Sequence, residues 1–410
     1  MRESRNTGRN REGRSPPPSW LDAAFVEAAL RRSGQPLARV ARVDTSYATA
    51  VGDHYCSRMY RVEAVVRGQG RPVSLLVKCM PEDKVILAMV REKGEFQTEV
   101  SMYKKVLPAV NDLLRAAGLS EPPLAARFFA AATDEVITLE DLVAQGFRMG
   151  DRFAGLDFEH AAAVLRALGR FHAATHVLLE RDPRLLEHYR SLFQSPSKNF
   201  GGLNSALIRS AASVVRAWAD EPPGLAARIE AIAESAAEKR KQLTSDAQAA
   251  FKVLNHGDLW TNNIMFRRDK GEVECRFVDL QLCFVGSPAI DLITFQMSSL
   301  EEAGWRERWP RLVAEYSGAL AEAARRLGAA WVPTAEDVQA ELRRARAWGL
   351  LVATSWVAVI LTDAGKQFDF AACRQGGAAA LAALSDTYKR RLRLLLPYCD
   401  EIGVFEDFPG

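Results

Sequence analysis

The chain has 410 residues, enough for two lobes that each bury a full hydrophobic core. Its 48% hydrophobic and 26% charged residues are ordinary for a soluble globular protein, and no apolar run reaches the ~20 residues needed to cross a bilayer. The net charge of +3 is accounted for by residues 1–20, so the rest of the chain has no basic excess to meet a nucleic acid.

Residues 1–18 read as a solvated, disordered arm rich in Arg and Pro; contact with RNA or acidic lipid is the lesser alternative. The segment lacks the apolar core of a secretory signal and is a poor mitochondrial presequence. The six cysteines are scattered, without a C-x-x-C pair, which suits a reducing compartment. Together these features point to a cytoplasmic protein, and nothing calls for an obligate protein partner.

In chain order, an opening helix is signalled by Ser19 as N-cap with Asp22 three residues later, and it ends at Gly34. Met59–Val66 and Val73–Cys79 are β-rich runs joined by a turn with Gly68, Gly70 and Pro72, hence an antiparallel hairpin. A helix over Arg91–Val106 ends before Pro108. Short strands follow at Arg127–Ala131 and Glu135–Leu139.

Beyond Asp141 the chain turns helical, with apolar spacing of three and four in Phe158–Leu179, Leu225–Leu243, Ala319–Leu327 and Ala378–Leu396. Ala347–Thr362 reads as a buried core helix. One β-rich island interrupts the helices, Phe251–Cys283, with a turn at Asp269-Lys270-Gly271. The expected fold is α+β: an N-lobe over 19–141 built on an antiparallel sheet and one key helix, then a large helical C-lobe over 142–410.

The stretch His256-Gly257-Asp258-Leu259-Trp260-Thr261-Asn262-Asn263 carries the chemistry. Phosphoryl transfer needs a carboxylate to orient the attacking hydroxyl and accept its proton, with an oxygen ligand for magnesium close by. Asp258 and, five residues on, Asn263 supply both from one tight loop. Sixteen residues later Asp279 ends the second arm of a hairpin. Magnesium takes few protein oxygens beside those of phosphate, so Asn263 and Asp279 make a sufficient set. H-G-D alone is an ordinary turn; the full constellation is far harder to meet by accident.

The first lobe offers an independent test. Strand alternation can aim Lys78 inward, and on the next helix Glu99 falls inside the stripe Phe96, Val100, Tyr103, Leu107. A buried carboxylate needs a partner, and Lys78 is the natural one, with Glu95 a weaker rival for the pairing. Gly52 and Ser57 lie where a phosphate-covering loop would sit, although an ordinary turn explains them almost as well. Glu140 and Leu142 flank Asp141 in the hinge, whose backbone would hydrogen-bond adenine. Asp291 begins a helix and is positioned to cap it or to brace the catalytic loop; His172 reads as a packed, satisfied histidine.

These residues resemble the ecdysteroid kinase-like family, relatives of choline kinases and aminoglycoside phosphotransferases. The resemblance rests on Gly52–Ser57, Leu76-Val77-Lys78, Phe96–Glu99 with Tyr103, Leu139–Leu142, His256–Asn263, Val278–Gln281 and Pro288–Leu292. It covers about residues 20–395 and departs at His54, where Asn is expected. It implies a protein-kinase-like two-lobe fold, ATP and Mg²⁺ as cofactors, and phosphorylation of an alcohol on a small molecule such as an ecdysteroid or a related steroid or xenobiotic. Choline-, ethanolamine- and aminoglycoside-type acceptors are the alternatives. A protein kinase is disfavoured because H-R-D and D-F-G are absent, Gly257 standing for Arg and Leu280-Gln281 for Phe-Gly. An inactive nucleotide-binding module is disfavoured because Lys78, Asp258, Asn263 and Asp279 are all present.

Overall fold

The structure, a computed structural model, describes residues 16–48, 57–81, 84–119, 122–133, 135–190, 198–245 and 249–408. It divides into two compact units. The first takes the chain up to Lys104 together with Ala126–Phe147; the second takes Lys105–Ala125 and the chain from Arg148 onward.

The first unit opens with α1 (Ala23–Arg32). Its N-cap is Asp22, whose carboxylate accepts from the Phe25 backbone N–H, and not the expected Ser19. Then come β1 (Val40–Tyr47), β2 (Arg58–Val66), β3 (Val73–Cys79), β4 (Phe128–Thr133) and β5 (Val136–Glu140). They form one antiparallel sheet in the order β1-β2-β3-β5-β4. Strand alternation sends Tyr60, Val62, Ala64, Leu75 and Val77 to one face, where Val26 and Leu30 of α1 cover them. Lys78, out of phase with Leu75 and Val77, is left for the opposite face.

Between β3 and β4 lie α2 (Lys84–Lys93), α3 (Glu95–Ser101), a π-helical turn over Met102–Val106 and α4 (Leu107–Ala116). The single helix expected over Arg91–Val106 is therefore broken. Gly94 stands at φ +68°, a left-handed conformation that glycine adopts without steric cost. Pro108 does not end a helix but sits in the first turn of α4, where its missing N–H costs nothing. The reading that gave 19–141 to one lobe also differs here, since Lys105–Ala125, α4 included, belongs to the second unit.

The second unit follows with β6 (Arg148–Met149), α5 (Phe158–Arg181), α6 (Lys198–Arg216), α7 (Leu225–Thr244), β7 (Val253–Asn255), β8 (Ile264–Asp269), β9 (Glu272–Phe277) and β10 (Phe284–Gly286). The strands pair as a small sheet, β6-β8-β9, and a ribbon, β10-β7. Then come α8 (Ala289–Ser299), α9 (Trp305–Leu327) and α10 (Ala335–Arg344). Next is a buried stretch: α11 (Ala347–Leu351), a π-helical turn (Val352–Trp356) and α12 (Val357–Ile360). α13 (Phe370–Gln375), α14 (Gly377–Ala383) and α15 (Asp386–Glu401) close the chain. The helix expected over Ala378–Leu396 is split because Ser385 caps α15 and also bonds the Leu361 carbonyl.

The centre of this unit is α5, buried along most of its length and packed on α9. Gly169 sets the close approach: a Cβ there would lie 2.8 Å from both the Leu320 nitrogen and the Tyr316 carbonyl oxygen. No described helix is long and apolar enough to cross a membrane.

Candidate active site

In the first unit, Lys78 and Glu99 meet as the strand and helix periodicities require. Nζ donates to Oε2 at 2.5 Å, and both side chains are almost wholly buried. Phe96 and Val100 of α3 and Tyr103 of the turn that follows are buried as well. Such a pair holds its lysine in one place because neither charge tolerates the loss of the other.

At the end of β5 a second network fixes the segment expected to hold adenine. Asp141 accepts from Arg61 at 2.6 Å, from Ser74 at 2.8 Å and from the Val143 backbone at 3.1 Å. Burial works to raise its pKa, but the bonds from Arg61 and Ser74 outweigh this and hold the carboxyl below its ordinary value. Of the residues expected at the nucleotide, Leu142 is buried, while the Glu140 carboxylate turns back to the Arg127 backbone N–H. Ser57 immediately precedes β2; Gly52 lies outside the described residues.

In the second unit, the loop His256–Asn263, the candidate catalytic loop, runs from β7 to β8. Gly257 has φ +79°, and a Cβ there would lie 2.0 Å from the Leu282 carbonyl oxygen, so only glycine fits. After Trp260 a 3-10 turn, Thr261–Asn263, returns the chain so that Asn263 faces Asp258. Its Nδ2 donates to the Asp258 carbonyl at 2.8 Å and to Asp258 Oδ2 at 2.7 Å.

Pairing of β8 with β9 brings in the third residue. Ile264 lies opposite Phe277, the Val278 N–H donates to the Asn263 carbonyl at 3.0 Å, and Asp279 follows. His256 adds a tie, its Nε2–H donating to the Val278 carbonyl at 3.0 Å. Asp279 itself has φ +63°, a left-handed backbone that Asp visits more readily than most residues. Burial, with the nearby Asp279 charge added, pushes the Asp258 carboxyl up to about 7 against the hydrogen bonds from Asn263 and Trp260.

Asp291, in the first turn of α8, is fully buried. Its Oδ2 accepts from the His256 N–H at 2.6 Å and its Oδ1 from the Gly257 N–H at 2.9 Å. It braces the loop rather than capping its own helix. His172, on α5, reaches the same Oδ2 with Nε2 at 3.3 Å, while its Nδ1 lies 2.8 Å from the Tyr316 hydroxyl. Burial holds the His172 pKa below its ordinary value, with Asp291 opposing. The sequence reading missed Arg61, Ser74 and Tyr316, whose partners lie far away along the chain.

A small antiparallel-sheet unit followed by a mainly helical one is the protein-kinase-like fold, here in a phosphotransferase that acts on the hydroxyl of a small molecule. A model of the ecdysteroid kinase-like family matches residues 51–329, and the chain belongs to that family. Among solved structures, the choline kinase from Cryptosporidium parvum Iowa II is similar at 11% identity, covering 94% of this chain and 99% of its own, with a TM-score of 0.45. The Plasmodium vivax ethanolamine kinase is 12% identical over 92% of this chain and 87% of its own, with a TM-score of 0.41. A glucosamine kinase in complex with glucosamine, ADP and inorganic phosphate is 16% identical over 77% and 78%, with a TM-score of 0.35. No curated protein matches the chain.

Proposed function

We propose that the protein transfers the γ-phosphoryl group of ATP to a hydroxyl of a bulky, mostly apolar metabolite, an ecdysteroid or a related steroid or xenobiotic alcohol. The observation that carries this reading is the Asp258–Asn263 bond, with the paired strands β8 and β9 bringing Asp279 to the same loop. Burial raises the Asp258 pKa, the direction that makes a carboxylate a better proton acceptor. Asp258 accepts the proton of the attacking hydroxyl, and Asn263 fixes its rotamer.

The donor set also suits magnesium. The Asp279 charge raises the cost of ionising Asp258, which a cation relieves, and Asn263, its Nδ2 engaged by Asp258, keeps its amide oxygen as a ligand. Asn263 and Asp279 would hold the ion, which when bound offsets the charge on the phosphates. Lys78, steadied by Glu99, pairs with nucleotide phosphate oxygens, and the backbone of Glu140 and Leu142 offers hydrogen bonds to the adenine edge.

The apolar acceptor is favoured by family membership and by the near-neutral charge of the chain beyond residue 20, which offers no acidic surplus to a polycationic aminoglycoside.

The test is product mass after incubation with ATP and Mg²⁺, across hydroxylated steroids, choline, ethanolamine and aminoglycosides. A steroid gains one phosphoryl group, and not with Asp258→Asn. If choline or an aminoglycoside reacts with far higher kcat/KM than every steroid, the acceptor assignment falls.

A further inference from the structure

Asp291 holds two backbone N–H groups of the catalytic loop, yet its carboxylate is itself held from behind. The chain of bonds runs Tyr316 hydroxyl, His172 ring, Asp291 carboxylate, then the His256 and Gly257 amides, and all three side chains are fully buried. We propose that His172 and Tyr316 are positioning residues for the reaction, acting through Asp291 on the backbone that carries Asp258. The inference rests on the reading of Asp258 as the base.

The imidazole tautomer of His172 decides what Asp291 can hold. For Nε2 to donate to Asp291 Oδ2, the ring proton must sit on Nε2, which leaves Nδ1 a bare acceptor. In a buried site that acceptor needs a donor, or the proton is free to shift to the other nitrogen. The Tyr316 O–H, 2.8 Å away, is that donor, and burial holds its pKa well above the ordinary value, so the proton stays on the oxygen. Tyr316 thus selects the tautomer, and the tautomer keeps an N–H on Asp291 Oδ2. With a lone pair there instead, the carboxylate would rotate away from the loop.

Two packing features fix the relay. The absent side chain of Gly169 lets α9 lie directly on α5, which sets Tyr316 against His172. At the other end, Gly257 is wedged against the Leu282 carbonyl, so a shift of its amide passes to Asp258, the next residue. A displacement of about 1 Å in a reacting group can cost roughly 100-fold in rate.

The experiment uses the full chain with Tyr316→Phe, His172→Gln and His172→Leu. Tyr316→Phe removes a single oxygen, and His172→Gln can still donate to Asp291 and accept from Tyr316. Amide exchange is followed at His256 and Gly257, and the His172 tautomer by ¹⁵N NMR. Transfer to an ecdysteroid acceptor with Mg²⁺ and ATP gives the kinetics. Tyr316→Phe is expected to speed exchange at those two amides selectively and to lose the Nε2–H tautomer. Its kcat falls about 10- to 100-fold, with the KM for ATP changed less than about twofold. His172→Gln retains most of kcat and His172→Leu does not. Unchanged exchange at His256 and Gly257 in Tyr316→Phe overturns the proposal, as does a loss of Tm with kcat intact. Should the wild-type protein phosphorylate no steroid, the kinase reading of the acceptor fails, while the exchange and tautomer results still decide this one.

Discussion

Lys78 Nζ and Glu99 Oε2 lie 2.5 Å apart in the interior of the first unit, with almost no solvent on either side chain. Removing one partner of such a pair strands the other charge, at a cost of roughly 3–5 kcal/mol. Glu99→Gln therefore lowers Tm more than the double variant Lys78→Met/Glu99→Leu. In kcat/KM for ATP the two residues act as a unit, so Lys78→Ala/Glu99→Ala costs little more than Lys78→Ala alone. A double-mutant cycle measures both; full additivity would point to Glu95 or another partner for Lys78.

Asp258→Asn separates chemistry from stability. Loss of the base lowers kcat about 100- to 10,000-fold with ATP affinity nearly intact. The folded pKa of Asp258 is raised from 3.8 to about 7, so its ionisation opposes folding as pH rises through that interval. Without magnesium, Asn at this position is expected to raise Tm at pH 8 by about 2 °C, with the gain shrinking toward pH 4. Differential scanning fluorimetry at the two pH values checks the sign.

Asp279→Ala weakens two things together, the binding of magnesium and the binding of the nucleotide it bridges. The Mg²⁺ concentration for half-maximal rate moves upward, and the limiting rate falls by on the order of 100-fold. A titration of rate against Mg²⁺ that superimposes on that of the wild type would assign the ion to other residues.

Two buried histidines predict acid sensitivity. Burial lowers the pKa of His172 and of His256 from the ordinary 6.5, with Asp291 opposing in both cases. The unfolded chain therefore takes up protons below about pH 6.5 that the folded chain refuses. Their stabilising contribution is complete above that pH and is lost as pH falls below it, by at most about 1.4 kcal/mol per pH unit for each ring. Urea midpoints at pH 7.5 and 5.5 measure the slope, which His172→Gln makes shallower.

How much of this was legible in the sequence depends on the range of each interaction. Asp258, Asn263 and Asp279 are readable because a tight loop and the hairpin after it fix their spacing locally, before any tertiary packing is known. Lys78 and Glu99, 21 residues apart, are readable because a lone acid inside an apolar stripe demands a cation. Strand β1 escapes because it is an edge strand with one partner, none of its residues is fully buried, and a bulge between Val40 and Arg42 interrupts its alternation. Tyr316 carries no local signal at all: its hydroxyl acquires meaning only once α9 lies on α5, 144 residues from His172 along the chain. Gly94 is a different case, a helix break that apolar periodicity on both sides conceals.

Gly257 limits what this loop can become. Protein kinases carry arginine at the corresponding place, between the histidine and the aspartate. Here the backbone is left-handed and the space where a first side-chain carbon would stand is filled by the Leu282 carbonyl. Leu282 follows Asp279 by three residues, so making room for any side chain would move the segment that carries a proposed metal ligand. An arginine able to sense a phosphorylated loop is thus closed to this chain by a single step of mutation.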